Sequence, residues 1–481
     1  GVVHVMERMQ YHQSKLPLRN AIAQFFGAAL SIISGHSVGR EGPSVHLGST
    51  SGSQIGQWLR LPNNSLRTLS ACGIAAAIAA SFNTPLAGVI FSMEVVLMEY
   101  SVISFAPVIL AAVTATTLTR LVYGSDPIFN IPPMQLDSLS ELVYVIIMGV
   151  ALGCIAALFI HLLQHSTTRS RRIPIWIRCT LGGAVVGLVG MAVPEVMGIG
   201  YDTVDKALLG ELALSTLLII TAAKIFASAL GLGLGLPGGL IGPTIVIGAL
   251  AGGATGIMAD SWLPGEIAAP AFYALIGMCT MMGATLQAPL AALTAMLELT
   301  ANPNIILPGM LALIAGVLVS REVFGKDSVY LMLMKARGLD YRATPLMQAL
   351  RGIGVAGMMD RRFESLPDAM TRARVLEALA SEPRWILITQ DRKPVAVMPA
   401  ADLAREVQEN PDRTACSLME IPAERREVTA IDFQASMQEA LELLDSNDAE
   451  ALYVTRHTVP GISRVYGVIT REDIERSYSV S

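Results

Sequence analysis

A chain of 481 residues that is 52% hydrophobic and 15% charged is too apolar for a soluble protein of this size. Its formal net charge of −5 offers no basic field for nucleic acid. The five cysteines, Cys72, Cys154, Cys179, Cys279 and Cys416, stand apart with no Cys-x-x-Cys pair, which argues against a disulfide framework and a metal site. A Ser-His-Asp arrangement, a His-Glu-x-x-His motif and a phosphate loop are all absent, so no enzymatic activity is expected.

Charge is spread unevenly, with 35 charged residues in the first 350 and 38 in the last 131. The change near Arg351 predicts a membrane domain over 1–350 and a water-soluble domain over 351–481. A helix needs about 20 apolar residues to cross the hydrocarbon. Such runs occupy roughly 20–39, 69–93, 103–122, 139–165, 175–199, 212–232, 239–258, 268–298 and 305–320. Gly39 to Pro43, Asn83 to Pro85, Pro237 to Pro243 and Gln287 to Pro289 interrupt them. Lipid cannot satisfy the backbone groups such breaks expose, so they belong inside protein or beside a polar cavity. The chain opens at Gly1 with neither an initiator Met nor a signal peptide, as a fragment of a longer protein would.

The breaks recur. Ala80 to Glu94 parallels Ala284 to Glu298, with Pro85 and Pro289 in register at a spacing of 204 residues. Gly42, Pro43 and Gly48 match Gly242, Pro243 and Gly248 at a spacing of 200. Two halves with broken helices at corresponding places predict a substrate site between structural repeats.

Gly39-Arg-Glu-Gly-Pro43 places two charges at membrane depth, where charges face a cavity or a partner. A helix that starts there aims unpaired N–H groups and its positive dipole end at a small anion. Glu41 is itself an anion on that loop. It can fill the anion position when ionised and leave it when protonated, which makes it a gate. Gly235-Leu-Pro-Gly-Gly239 exposes amides in the same way before Pro243. Lys224 lies deep in an apolar run, where it could add positive potential to a pore.

These motifs, in this order, resemble those of the CLC chloride channel and transporter family over roughly residues 1–340. Gly39 to Pro43 with Ser44 to Gly48 is similar to its gating motif, and Gly238 to Pro243 to its second filter segment. Tyr330 falls at its pore tyrosine. The resemblance implies an all-α polytopic fold of two inverted repeats and a homodimer with one pore per subunit. It further implies chloride held by amides near Arg40, Glu41 and Gly42, by amides of Leu240 and Ile241, and by the Tyr330 hydroxyl. The family's Gly-Ser-Gly-Ile-Pro motif would fall at or before Gly1, so the choice between chloride and nitrate stays open. Family exchangers carry two adjacent acids where this chain has Glu94 and Val95. A valine at the proton-transfer position favours passive conduction over chloride/proton antiport, with Glu94 and Glu99 as the remaining proton-path candidates. A cation transporter with a regulatory tail is the weakest reading, because only Glu41, Glu94 and Glu298 lie well inside apolar runs.

Beyond Arg351, helix Arg372 to Ala380 and strands Arg384 to Thr389 and Pro394 to Met398 recur as helix Ala435 to Leu444, strands Ala451 to Thr455 and Val465 to Ile469, and a helix from Glu472. This α/β tail resembles a CBS pair, about 355–407 and 415–478. That resemblance implies a possible adenine nucleotide near Thr470 and Asp473, with Asp402 in the matching place of the first copy. Thr470 also suits the N-cap of the last helix. The resemblance and the compact length imply a protein of the bacterial inner membrane, the tail in the cytosol.

Overall fold

The computed structural model describes residues 1–100, 102–124, 129, 136, 138, 141–262, 267–339, 350, 353–391, 393–411, 415–447, 449–459 and 462–479. The chain falls into two compact units, Gly1–Leu59 with Leu66–Tyr341 and Arg60–Ser65 with Arg342–Ser481. The boundary expected at Arg351 lies outside the described residues.

The first unit is helical: α1 (Val2–Tyr11), α2 (Leu18–Ile33), α3 (Glu41–Trp58), α4 (Asn63–Phe82), α5 (Pro85–Phe91), α6 (Val102–Tyr123), α7 (Glu141–Ser170), α8 (Ile175–Ala192), α9 (Tyr201–Leu208), α10 (Leu214–Leu234), α11 (Ile241–Trp262), α12 (Pro270–Leu286), α13 (Pro289–Thr300), α14 (Ile306–Leu318) and α15 (Val329–Ala336). Among the described residues, seven helices are long and apolar enough to cross a membrane, and four shorter apolar ones accompany them. The runs at 69–93 and 268–298 are each two helices. Asn83 (φ 57°) and Gln287 (φ 54°) turn left-handed, and a proline two residues later starts the next helix. The run at 175–199 stops at Ala192, because Pro194 cannot continue a helix.

The repeat extends beyond the motifs. At a spacing of 200, α1 corresponds to α9 and α3 to α11; at 204, α5 corresponds to α13 and α6 to α14. Packing repeats with the sequence. Gly48 lies so close to the Gly73 carbonyl that a Cβ would collide with it, and Gly248 meets the Gly277 carbonyl in the same way. The copies meet where the amides of Gly39 and Gly239 each donate to the other's carbonyl, at 2.9 and 2.6 Å. Such mutual, antiparallel pairing of equivalent residues is the contact a two-fold relation produces. The fold is an all-helical membrane unit of two inverted repeats.

The second unit holds a six-stranded sheet in the order β1-β3-β4-β6-β7-β8. Its elements run β1 (Phe363–Pro367), β2 (Ala369–Thr371), α16 (Arg372–Leu379), β3 (Trp385–Gln390), β4 (Lys393–Pro399), α17 (Ala400–Glu409), β5 (Ala415–Ser417), β6 (Arg426–Asp432), α18 (Met437–Asn447), β7 (Ala451–Val459), β8 (Ile462–Thr470) and α19 (Arg471–Ser479). In each half a leading strand pairs parallel with the next, which pairs antiparallel with a third: β1, β3 and β4, then β6, β7 and β8. This duplicated α/β pattern fits a CBS pair. The leading strands β1 and β6 escaped the sequence reading, because charges break their alternation.

Candidate functional site

The site is built where helix starts from both repeats meet. Glycine makes the approach possible: a Cβ on Gly42 would come within 3.0 Å of the Gly238 carbonyl and of Gly239 Cα. The first amides of a helix have no partner within it. At α11 one of those amides, that of Gly242, meets the carboxylate that starts α3, and so does the hydroxyl of the first residue of α9.

Glu41, the first residue of α3, is fully buried. Its Oε2 accepts from the Gly242 amide at 3.3 Å, and its Oε1 accepts from the Tyr201 hydroxyl at 2.9 Å. A carboxylate of the first repeat thus occupies the helix start of the second. Leu240 and Ile241 are buried at the same start. Among the described residues the Tyr330 hydroxyl is buried without a hydrogen-bond partner. An orphaned buried donor is an exception that calls for a ligand or a water. The Arg40 guanidinium donates to the Ser81 carbonyl at 2.8 Å and makes no hydrogen bond to Glu41 among the described residues. Lys224 is engaged by backbone. Its ammonium donates to the carbonyls of Val196 (2.9 Å) and Gly198 (3.1 Å), in the turn leading to α9.

The two proton-path candidates are both engaged. Glu94 accepts from the amides of Leu290 (3.2 Å) and Ala291 (2.7 Å), in the first turn of α13. Glu298 does the same for Leu86 (2.9 Å) and Ala87 (2.7 Å) of α5. Each repeat caps a helix of the other. Glu99 is paired with Arg67 at 3.0 Å, and Val95 is buried in the core. In the tail, the Thr470 hydroxyl donates to Asp473 Oδ2 at 2.8 Å, and the Asp473 amide returns to Thr470 Oγ1 at 3.4 Å. That reciprocal pair is a helix cap. Asp402 Oδ2 accepts from the Glu424 amide at 3.3 Å.

Sequence reasoning missed Tyr201. The signal was available, because Gly198-Ile-Gly-Tyr201 opens a helix 200 residues after Gly1, at the spacing of the filter motifs.

Inverted repeats, broken helices and amide-lined helix starts around a buried acid define an integral membrane protein that transports anions. The chain belongs to the voltage-gated chloride channel (CLC) family, whose model matches residues 1–321. It is 32% identical to a ClcB-like chloride channel protein of Ralstonia nicotianae, covering 69% of this chain and 78% of that one. It is 31% identical to the H+/Cl− exchange transporter ClcA of Vibrio cholerae, covering 65% and 68%. Its fold is similar to that of a slow cyanobacterial Cl−/H+ antiporter, with a TM-score of 0.63 and 24% identity over 70% of this chain and 80% of that one. A eukaryotic CLC transporter matches 98% of this chain and 84% of its own, with a TM-score of 0.60 and 21% identity.

Proposed function

We propose that this chain carries chloride along a pathway gated by Glu41 and exchanges it for protons. The observation that carries the gate is the Glu41 carboxylate lodged against the Gly242 amide, where an anion would sit. A bound anion takes the place of the carboxylate among the amides of Gly42, Leu240 and Ile241, and the Tyr330 hydroxyl, unpartnered among the described residues, gains a partner. Proton coupling is supported by the relatives named as H+/Cl− exchangers, against the passive conduction expected from Val95. Passive conduction stays as the second reading, favoured by buried Val95 and by Glu94, whose two oxygens are taken up by α13. By family likeness two copies assemble with one pathway each in a bacterial inner membrane. The tail faces the cytosol, Thr470 and Asp473 are candidates for an adenine nucleotide, and no reaction is catalysed.

Paired chloride and proton fluxes from liposomes test this for the native protein and for Glu41→Gln. Exchange requires a reversal potential that shifts with a pH gradient at fixed chloride. A potential that ignores the gradient establishes passive conduction. Anion flux and its pH response unchanged by Glu41→Gln would refute the gate.

A further inference from the structure

We propose that Tyr201 is the latch of this gate, and that Lys224 is the buttress that presents it. The proposal rests on the reading of Glu41 as the gate and adds a residue to it. Four observations lead from the core to the carboxylate. The Lys224 ammonium, fully buried on α10, donates to the Val196 and Gly198 carbonyls and so fixes the turn that follows α8. The Gly198 amide donates to the Gly35 carbonyl at 3.1 Å, tying that turn to the loop before α3. Gly200 then reverses the chain at φ 89°, a conformation that favours glycine, and starts α9. Tyr201, its first residue, packs edge-on against Phe129 at 5.8 Å and donates its hydroxyl to Glu41 Oε1 at 2.9 Å.

The consequence concerns competition for one place. While ionised, Glu41 holds Oε2 on the Gly242 amide and Oε1 on the Tyr201 hydroxyl. An incoming anion can replace the first contact with its own, but it must break the second. Tyr201 therefore stabilises the closed arrangement and not the anion-loaded one. As a positioning residue it acts on chloride only through Glu41. Tyr201→Phe keeps the ring and its contact with Phe129 and removes only the donor. A hydrogen bond to a charged group weakens the closed state enough, when lost, to change the occupancy of the gate by about tenfold.

Chloride flux into liposomes, measured against chloride concentration, tests this with native protein, Tyr201→Phe, Glu41→Ala and the double variant. The expected result is a fall of about tenfold in half-saturating chloride for Tyr201→Phe, with maximal flux changed less than threefold. In the Glu41→Ala background the same change has no effect. An unchanged half-saturation in Tyr201→Phe, while Glu41→Ala does raise flux, overturns the latch and leaves the gate standing. Equal effects of Tyr201→Phe with and without Glu41 also overturn it, because they would make the tyrosine merely structural. Glu41→Ala without effect on flux removes both readings together. If Tyr201→Phe does not give monodisperse protein, Lys224→Met carries the test with the same expected and refuting results.

Discussion

The crossed caps of Glu94 and Glu298 give a prediction whose size follows from the geometry. Replacing Glu94 with Ala orphans the amides of Leu290 and Ala291, bonded at 3.2 and 2.7 Å, at the start of α13. A hydrogen bond to an ionised acceptor contributes about 1.5–3 kcal/mol, and a negative charge at a helix start adds about 0.3–1 kcal/mol. The longer bond is weak and both acids are partly solvated, so the loss comes to about 2–4 kcal/mol. Glu298→Ala removes bonds of 2.9 and 2.7 Å at the start of α5, so its cost should agree with that of Glu94→Ala within about 1 kcal/mol. The Gln variants keep one acceptor oxygen and should lose roughly half as much. Thermal unfolding in detergent, read as the temperature at which monodisperse protein is lost, compares the four variants. Proton flux from the same preparations separates a cap from a relay. If Glu94→Gln abolishes proton-driven flux at native stability while Glu298→Gln does nothing, Glu94 is a proton carrier and the matched-cap argument fails.

Gly277→Val should be among the most damaging single changes in the helical unit, because its side chain would be driven into the Gly248 carbonyl and Gly252. Overpacking of this kind costs about 1–3 kcal/mol, and a reduced monodisperse fraction on size-exclusion chromatography would register it. Thr470→Val removes the cap of α19, worth about 1 kcal/mol, and hydrogen exchange of the first α19 amides should quicken about fivefold. In the tail, the Asp368 carboxyl is held below the usual carboxylate range, first by the Met419 amide, against a penalty from burial, then by the Ser417 hydroxyl and the Gln390 amide. A depressed value in the folded state means that its stabilisation is complete above the ordinary value near 4 and is lost as pH falls through the folded value. Asp368→Asn should therefore lower the unfolding temperature of the tail at pH 7 and flatten its decline between about pH 5 and pH 3, as circular dichroism would show; an unchanged slope would count against the assignment.

Much of the membrane unit could be read in advance, because its information is punctuation. Gly39, Pro43, Pro85, Gly239, Pro243 and Pro289 mark where helices break, and backbone rules turn those marks into helix starts with little help from packing. What the sequence could not supply was side-chain direction. Arg40 and Glu41 are neighbours, yet one guanidinium reaches Ser81 while the carboxylate turns inward to Gly242. Glu94 and Glu298 stand in register in the repeat, but only the folded arrangement shows that each serves the other copy's helix. Tyr201 was missed for a different reason: nothing local ties it to a residue 160 positions earlier, and only the 200-residue spacing from Gly1 marks it.

The repeat also separates scaffold from function. Where the two copies agree, the contact is reciprocal and structural: Gly39 with Gly239, Gly48 and Gly248 against their neighbouring helices, Glu94 and Glu298 on opposite caps. A two-fold arrangement of such contacts holds two helix starts together but gives an anion no gate. The copies disagree at the helix starts, where the proposed gating needs them to. Arg40 and Glu41 stand opposite Leu240 and Ile241, so one repeat supplies a carboxylate and the other an amide-lined start with no charge of its own. A second carboxylate at Ile241 would set two like charges in one buried place, which neither could occupy ionised. Tyr201 stands opposite Gly1. The hydroxyl that holds the carboxylate therefore comes from one side only, and on the proposed reading Glu41 is released by breaking its bonds to Tyr201 and Gly242 without loosening the symmetric contacts around it.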